Sequence, residues 1–375
     1  MNVLFVSNDP TILEQGSDTY ARMKEYARAC TMLHIVTAGT RTVRIDDENL
    51  HVHAVACNRL TRVRALARIA HAIILSDAIE VVSAQDPFEH GLAALKAVKD
   101  TSAKLHVQVH TDFLSPWFIR GSNIRALSVP MPLVNRLRVR IANKVLPQAQ
   151  GIRVVSVRIQ ESLIKKYGAA IPVPTVIPIH VPASIPEPVP LPAHPFTFTL
   201  ITVGRLEAEK RIEDILTALW IIKDRYPTAG LLIVGKGSEL PRLISLAHKL
   251  TLEGRVLFTN TWRPDAWGLM RSAQAYIQAS AYEGYGRTLV EAALGGVPII
   301  TTDVGIVGEV LVGYEDVLSA PVADPMALAT HIAKLIEDLQ LRTSLSLHAK
   351  VTVEKHLSET DTSAEAIMAD LEKLL

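Results

Sequence analysis

The sequence predicts an α/β protein of two doubly wound domains, and three observations carry that prediction. Short apolar runs alternate with amphipathic stretches of helical period through both halves of the chain, as in parallel sheets covered by helices. Nine prolines crowd residues 172–195 between the halves, a composition that holds no helix and suits a stiff linker. At 375 residues the chain also exceeds one ordinary hydrophobic core, so two are expected. The expected boundaries are residues 1–171, a linker at 172–196, a second domain at 197–356, and a closing helix at 357–375 that packs back on the first domain.

In the first domain strands are expected at 3–7, 33–37, 52–55, 81–84, 105–109 and 152–157, with helices at 18–30, 61–75, 88–98 and 131–146. Past the prolines the alternation restarts, with strands at 198–203, 231–234, 256–258, 275–277, 297–301 and 317–319. Helices at 211–224, 239–250 and 287–294 lie between them, and helical segments close the chain from 325 onward, ending at 363–375. Two such domains are expected to face a cleft lined by the carboxyl ends of their strands, the usual ligand position in this class.

Composition narrows the function classes. Apolar residues make up 49% of the chain and charged residues 21%, which fits a globular protein and supplies no run of eighteen apolar residues for a membrane span. The first strand follows Met1 directly, leaving no room for a signal peptide. Cys30 and Cys57 have no ligand spacing and read as buried thiols of a cytoplasmic protein. Charge is uneven: residues 1–170 carry a net +8 and the remainder −7. No acidic residue lies between Phe113 and Gln160, a span holding Arg120, Arg125, Arg136, Arg138, Arg140, Lys144, Arg153 and Arg158 with Trp117 and Phe118. Solvated helix faces account for such a span. So does an anionic membrane surface, where each nearby cation contributes about 1 kcal/mol; the second reading puts the protein peripherally on the inner face of the membrane. Nucleic acid is not expected, since no binding motif accompanies the charge.

The most informative stretch is EGYGRTLVE, in which Glu283 and Glu291 stand eight residues apart around Gly284-Tyr285-Gly286. A strand that breaks at a glycine turn and re-enters as a helix leaves backbone N–H groups unpaired, and these suit a phosphate or another anion. Flanking carboxylates accept hydrogen bonds from hydroxyls. Phosphate and hydroxyls recognised together suggest a nucleotide sugar. The first strand of the second domain runs into Gly204-Arg205-Leu206-Glu207, with Lys210 and Arg211 beyond. Two cations at a strand's carboxyl edge can hold a diphosphate and stabilise its charge as it departs, or can simply pair with Glu207 and Glu209 at the surface. The later turn, Gly235-Lys236-Gly237-Ser238, is generic on its own.

In order, GRLxxEK from Gly204, LLIVGKG from Leu231, VxF from Val256 and SAQAYIQASAYEGYGRTLVEAALGGVPIITTDVG from Ser272 form a series that resembles family 4 of the retaining glycosyltransferases, of GT-B fold. The likeness is strongest over about residues 200–310 and looser in the first domain, where Gly16-Ser17-Asp18-Thr19 occupies the place of the family's glycine-rich loop. The resemblance implies that Glu291 accepts from the ribose hydroxyls and that Glu283 contacts the donor sugar. It further implies that backbone N–H groups of Gly284, Tyr285 and Gly286 hold sugar hydroxyls or phosphate, and that Arg205 and Lys210 grip the diphosphate beside Gly204. His110 in HVQVHTD matches the family's histidine beside the sugar, and Gly16 lets the backbone approach phosphate or acceptor. Asp86 and Asp112 are candidates on the acceptor side. The sequence departs from the family pattern at Ser17, at Arg211 and Asn260 where glycine is usual, and at Ile306, which replaces the second glycine of DxGG.

The implied activity is a hexosyl or other glycosyl transfer, with retention, from a nucleoside-diphosphate sugar to a lipid-linked, glycolipid or polysaccharide acceptor. No cofactor is expected beyond the nucleotide sugar itself, and no metal, because the sequence has no DxD motif and Arg205 with Lys210 can serve the diphosphate. A nucleotide-sugar epimerase, a phosphorylase and a non-catalytic sugar-nucleotide-binding protein are the alternatives. A dinucleotide oxidoreductase is disfavoured because VSNDPTILEQGS lacks the GxGxxG fingerprint.

Overall fold

The structure, a computed structural model, describes the chain except for residues 8, 121–130, 183, 262 and 264, and gives no side-chain description for residues 120, 131 and 132. Arg125 of the basic span therefore lies outside the described residues. The chain forms two compact units. One comprises Met1–Leu114, Leu133–His180 and Asp361–Leu375, the other Ser115–Pro132 and Val181–Thr360.

The first unit begins with β1 (Asn2–Ser7), α1 (Asp18–Arg28), β2 (Met32–Gly39), β3 (Val43–Asp47) and β4 (Leu50–Ala56). It continues through α2 (Arg62–Ser76), β5 (Val81–Ala84), α3 (Glu89–Ala97) and β6 (Lys104–Val109). After α4 (Pro116–Arg120), which groups with the second unit, come α5 (Met131–Val145), β7 (Gly151–Val154), α6 (Val157–Tyr167) and β8 (Thr175–Val176). The strands order as β3-β4-β2-β1-β5-β6-β7-β8. All pairings are parallel except β3 with β4. The sequence reading had neither β3 nor β8. β3 is a hairpin partner at the sheet edge, where VRIDD carries charge and only a tight turn, with Glu48 at φ 55, separates it from β4. The expected strand at 152–157 is shorter because Ser156 caps α6, its Oγ accepting from the Ile159 amide at 3.4 Å.

The second unit follows the same logic: β9 (Phe198–Val203), α7 (Ile212–Ile222), β10 (Ala229–Val234), α8 (Leu240–Lys249), β11 (Val256–Phe258), α9 (Ala266–Arg271) and β12 (Ala275–Gln278). Then come α10 (Arg287–Leu294), β13 (Ile299–Thr302), β14 (Leu318–Ala320), α11 (Pro325–Glu337) and α12 (Leu339–Glu359). Its six strands are all parallel, in the order β11-β10-β9-β12-β13-β14. Every residue of β9, β10 and β12 is buried, as expected of strands covered on both faces. The final helix, α13 (Ala364–Glu372), belongs to the first unit, where Ile367, Met368 and Leu371 join the core formed by α1, β1 and β2.

In both sheets the order reverses around the first strand, between β1 and β5 in one unit and between β9 and β12 in the other. Loops leaving such strands diverge and open a crevice at the carboxyl edge. This topology decides which side chains can meet.

Several sequence expectations are corrected here. Arg153 does not lie on a basic surface: it is 4% exposed within the first unit. Phe118 is buried, its ring 5.4 Å from that of Tyr282, and the Arg211 guanidinium lies 5.5 Å from the Trp117 ring centre. Phe118 thus packs inside the second unit, whereas Trp117 is half-buried. Cys30 and Cys57 are half-buried rather than buried. No helix among the described residues is long and apolar enough to cross a membrane.

Candidate functional site

The β9 strand ends at Val203, the Gly204 amide donates to Val234 O at 3.0 Å, and the chain then turns through a short 3₁₀ segment, Ala208–Lys210. The neighbouring GKG turn is built against this loop. Gly235 has φ +143, and a Cβ there would stand 1.9 Å from the Gly204 carbonyl oxygen. The generic-looking glycine is thus what lets two loops touch. Glu207 is taken up in the same packing, accepting from the Ser238 amide at 3.1 Å and from its hydroxyl at 2.7 Å.

Arg211 ends the 3₁₀ turn with φ 47 and ψ 42, in the left-handed region. This explains why the resemblance expects glycine at that position, since the conformation costs an L-residue about 1–2 kcal/mol. Here the buried Asp214 accepts from Arg211 Nε at 2.6 Å and from Nη2 at 2.9 Å, holding the side chain in place. Asn260, the second departure, is also left-handed at φ 49, a conformation asparagine tolerates. At the third departure the strain falls on Gly305, at φ +60, while the buried Ile306 donates its amide to Tyr285 O at 3.0 Å.

The turn aims Lys210 across the crevice between β9 and β12. Its Nζ donates to Glu283 Oε1 at 2.5 Å, and Ser280 Oγ donates to the same oxygen at 2.7 Å. The Lys210 and Glu283 side chains are 21% and 14% exposed. Arg205 lines the same crevice as Gly204, Lys210, Gln278 and Ser280. It remains 65% exposed, paired with Glu209 at 3.0 Å, the surface pairing foreseen as the alternative. Such an exposed pair is worth little and leaves the guanidinium able to turn to a ligand.

The Gly284-Tyr285-Gly286 turn is anchored from below. The Tyr285 ring is buried and its hydroxyl meets His356 Nε2 of α12 at 3.1 Å. The Tyr285 carbonyl takes the Ile306 amide, and a Cβ on Gly305 would come within 2.4 Å of that carbonyl oxygen. Gly286, at φ 92, opens α10, and no side chain among the described residues caps this helix N-terminus. The Leu289 amide turns back to the Gly286 carbonyl at 2.8 Å, which leaves the amides before it as the anion-binding candidates at this helix start.

Glu291 and Glu283 both act electrostatically on the buried Tyr276. Glu291 sits one turn before the end of α10, 12% exposed, and accepts from Arg287 Nε at 2.7 Å. Burial lifts its carboxyl above the ordinary value, against the opposing pull of Arg287. Sequence reasoning missed Gln278 at the end of β12. Its Oε1 accepts from the Tyr276 and Thr288 hydroxyls at 3.0 Å each, while its buried Nε2 has no partner among the described residues. The only signal for it was a polar residue closing an apolar strand.

The first unit places its own candidates. His110 follows β6, and its Nε2 lies 2.9 Å from Gln108 Oε1. Burial, with the nearby Arg153 cation, pushes its basicity down and keeps the ring neutral. Asp86 follows β5 but is occupied: it accepts from the Phe88 amide at 2.7 Å and pairs with His90 Nδ1 at 2.5 Å at the start of α3. Burial opposes its charge, yet these bonds outweigh burial and hold its carboxyl below the ordinary value. Asp112 is half-buried two residues past His110. At Gly16 a Cβ would meet nothing within 4 Å, so packing does not demand glycine there. The next residue, Ser17, caps α1 by accepting from the Tyr20 amide at 3.0 Å.

Residues 193–351 match the family model described as glycosyl transferases group 1. Glycogen synthase from Mycobacterium tuberculosis is 30% identical over 140 residues, 37% of this chain and 34% of that protein. The chain matches about a third to a half of the length of such curated relatives. Sucrose-phosphate synthase from Thermosynechococcus elongatus aligns over 100% of this chain and 98% of its own, with TM-score 0.80 and 18% identity. HepE of Anabaena, solved with UDP and glucose, aligns over 100% of both chains with TM-score 0.74 and 19% identity. At these identities the two structures show the shared fold of two α/β domains, and the sequence matches relate the second half of the chain to the group 1 glycosyltransferases.

The raised carboxyl of Glu291 gives a testable sign. A carboxyl whose folded value lies above its unfolded value near 4.5 favours the fold while protonated and withdraws that stability as pH rises through the folded value. Glu291→Gln is expected to melt above wild type near pH 7.5, with the gap closing toward pH 4.5. A variant that melts lower at neutral pH, or a gap that persists in acid, contradicts this.

Proposed function

We propose that the chain is a retaining glycosyltransferase that moves a hexosyl or related sugar from a nucleoside-diphosphate sugar to a glycan or lipid-linked acceptor. The observation that carries the reading is the Lys210–Glu283 pair at the β9–β12 crevice, beside the uncapped start of α10. Breaking the glycosyl bond develops positive charge on the sugar ring and negative charge on the departing phosphate. Lys210, with Arg205 turned from Glu209, meets the phosphate charge. These contacts strengthen as the bond breaks and so lower the barrier instead of merely binding the donor. Glu283 and the amides of Gly284, Tyr285 and Gly286 hold sugar hydroxyls and Glu291 accepts from the ribose; His110 is the first unit's candidate for a sugar hydroxyl. The two cations take the place of a metal ion, so the reaction needs none. A UDP-sugar is the first donor to try, because the neighbouring HepE structure contains UDP.

An anionic membrane surface is the proposed home of the acceptor. On α5, Leu133 and Leu137 are 52% and 56% exposed and share a face with the exposed Arg136 and Arg140, the mixture of apolar and cationic groups that suits a headgroup layer.

Transfer is tested by incubating the enzyme with a panel of nucleotide sugars and acceptors and identifying the products. A folded variant with Arg205→Ala and Lys210→Ala is expected to lose at least about 100-fold in turnover, and excess EDTA to leave wild-type turnover unchanged. Surviving turnover in the variant, or a metal requirement, contradicts the reading. A product formed without acceptor indicates an epimerase, and one formed without nucleotide a phosphorylase. In flotation assays, vesicles containing anionic lipid should retain the wild-type protein at low salt and release it at high salt, with Arg136→Glu plus Arg140→Glu failing to bind. Binding insensitive to these charges contradicts the membrane assignment.

A further inference from the structure

A buried polar chain runs through the first unit behind His110. Gln108 Oε1 lies 2.9 Å from His110 Nε2 and accepts from Arg153 Nη1, also at 2.9 Å. Gln108 Nε2 donates to Ser83 Oγ at 3.0 Å, and Ser83 Oγ lies 2.8 Å from His106 Nδ1. His106 Nε2 stands 3.4 Å from Asp370 Oδ2 on α13, at ion-pair distance without hydrogen-bond alignment. Arg153 is itself fixed, donating through Nε to Ile177 O at 3.0 Å and through Nη2 to Pro178 O at 2.9 Å.

Proton positions along this chain follow from donor and acceptor chemistry. A guanidinium only donates, so the amide atom that Arg153 touches must be the Gln108 oxygen; the reverse amide orientation would set two donors face to face. A carbonyl oxygen only accepts, so the His110 nitrogen beside it must carry the ring proton. Gln108 Nε2 then donates to Ser83 Oγ, which sends its own proton to His106 Nδ1 and leaves the His106 Nε2 proton toward Asp370. Arg153 at one end and Asp370 at the other impose the same polarity on every link. His110 Nδ1 has no hydrogen-bond partner among the described residues. The charged and titratable groups acting on His110 are Arg153, Asp86 and His106, and burial with Arg153 favours the neutral ring.

We infer that Gln108, locked by Arg153, is a positioning residue that holds His110 in the Nε2–H tautomer, so that His110 meets a ligand hydroxyl as an acceptor through Nδ1. The ligand half of this inference rests on the proposed role of His110 at the donor sugar; the tautomer half does not. A hydroxyl of the sugar would thus donate to His110, and a sugar lacking that hydroxyl would lose the contact.

Histidine-selective ¹⁵N labelling of the full chain reads the tautomer directly, with the His110 signals among the 13 histidines assigned by their loss in His110→Gln. The expected wild-type result is a neutral ring protonated at Nε2. Gln108→Glu, which keeps an acceptor oxygen, should preserve that tautomer, whereas Gln108→Met should give a mixture. In transfer assays Gln108→Met should lower kcat about 10-fold or more, with Gln108→Glu restoring part of it. A wild-type ring protonated at Nδ1 overturns the inference without any variant, as does Gln108→Met with the wild-type tautomer retained. The stated tautomer in a protein that transfers no sugar supports the positioning and overturns the proposed function.

Discussion

A lysine and a glutamate held 2.5 Å apart at the mouth of a crevice, both mostly out of water, constrain much of the second unit. Withdrawing two charges from water costs several kcal/mol per ion unless geometry and further hydrogen bonds offset it. The surrounding structure supplies both. Ser280 gives Glu283 a second bond, and the Ala281 amide donates to Glu209 O at 2.7 Å, tying the two loops together. The 3₁₀ turn fixes where Lys210 begins, and Tyr285, Ile306 and Gly305 fix where Glu283 begins. Held in this way, both charges have their positions fixed before a ligand enters, and preorganised charge is the condition for strong electrostatic stabilisation.

The departures from the family pattern become intelligible in the same terms. Arg211 and Asn260 keep the left-handed backbone that glycine would adopt more cheaply, and Arg211 offsets that strain through Asp214. In the first unit the buried Arg153 solves a different problem, satisfying the carbonyls of Ile177 and Pro178 where the chain leaves β8. Its charge then polarises the side chains leading to His110. Through Asp370 this same network reaches α13, so a helix remote in sequence bears on the histidine.

Much of the fold was legible because its strands are short and apolar, so that the buried β5 and β9 and the half-buried edge strand β11 lie where the pattern placed them. The hairpin strand β3 escaped because its sequence, VRIDD, is charged and alternates with solvent. Lys210 and Glu283, 73 residues apart, were both named from their turns, yet their ion pair is a product of the β9–β12 switch that no local pattern displays. Charge counting misplaced Arg153 because composition cannot tell an exposed arginine from one whose donors are all met inside. Gln108 and Gln278 were missed for the converse reason: an amide at a strand end looks neutral until its partners are known.

The central claim is that Lys210 holds an anionic leaving group while Glu283 serves the sugar. Titration calorimetry with a nucleoside diphosphate lacking the sugar separates the two roles. The account predicts that Lys210→Met weakens binding at least about tenfold, roughly 1.4 kcal/mol, and that Glu283→Gln, which frees the ammonium from its competitor, binds as tightly as wild type or tighter. Wild-type affinity in Lys210→Met, or a comparable loss in Glu283→Gln, would contradict it.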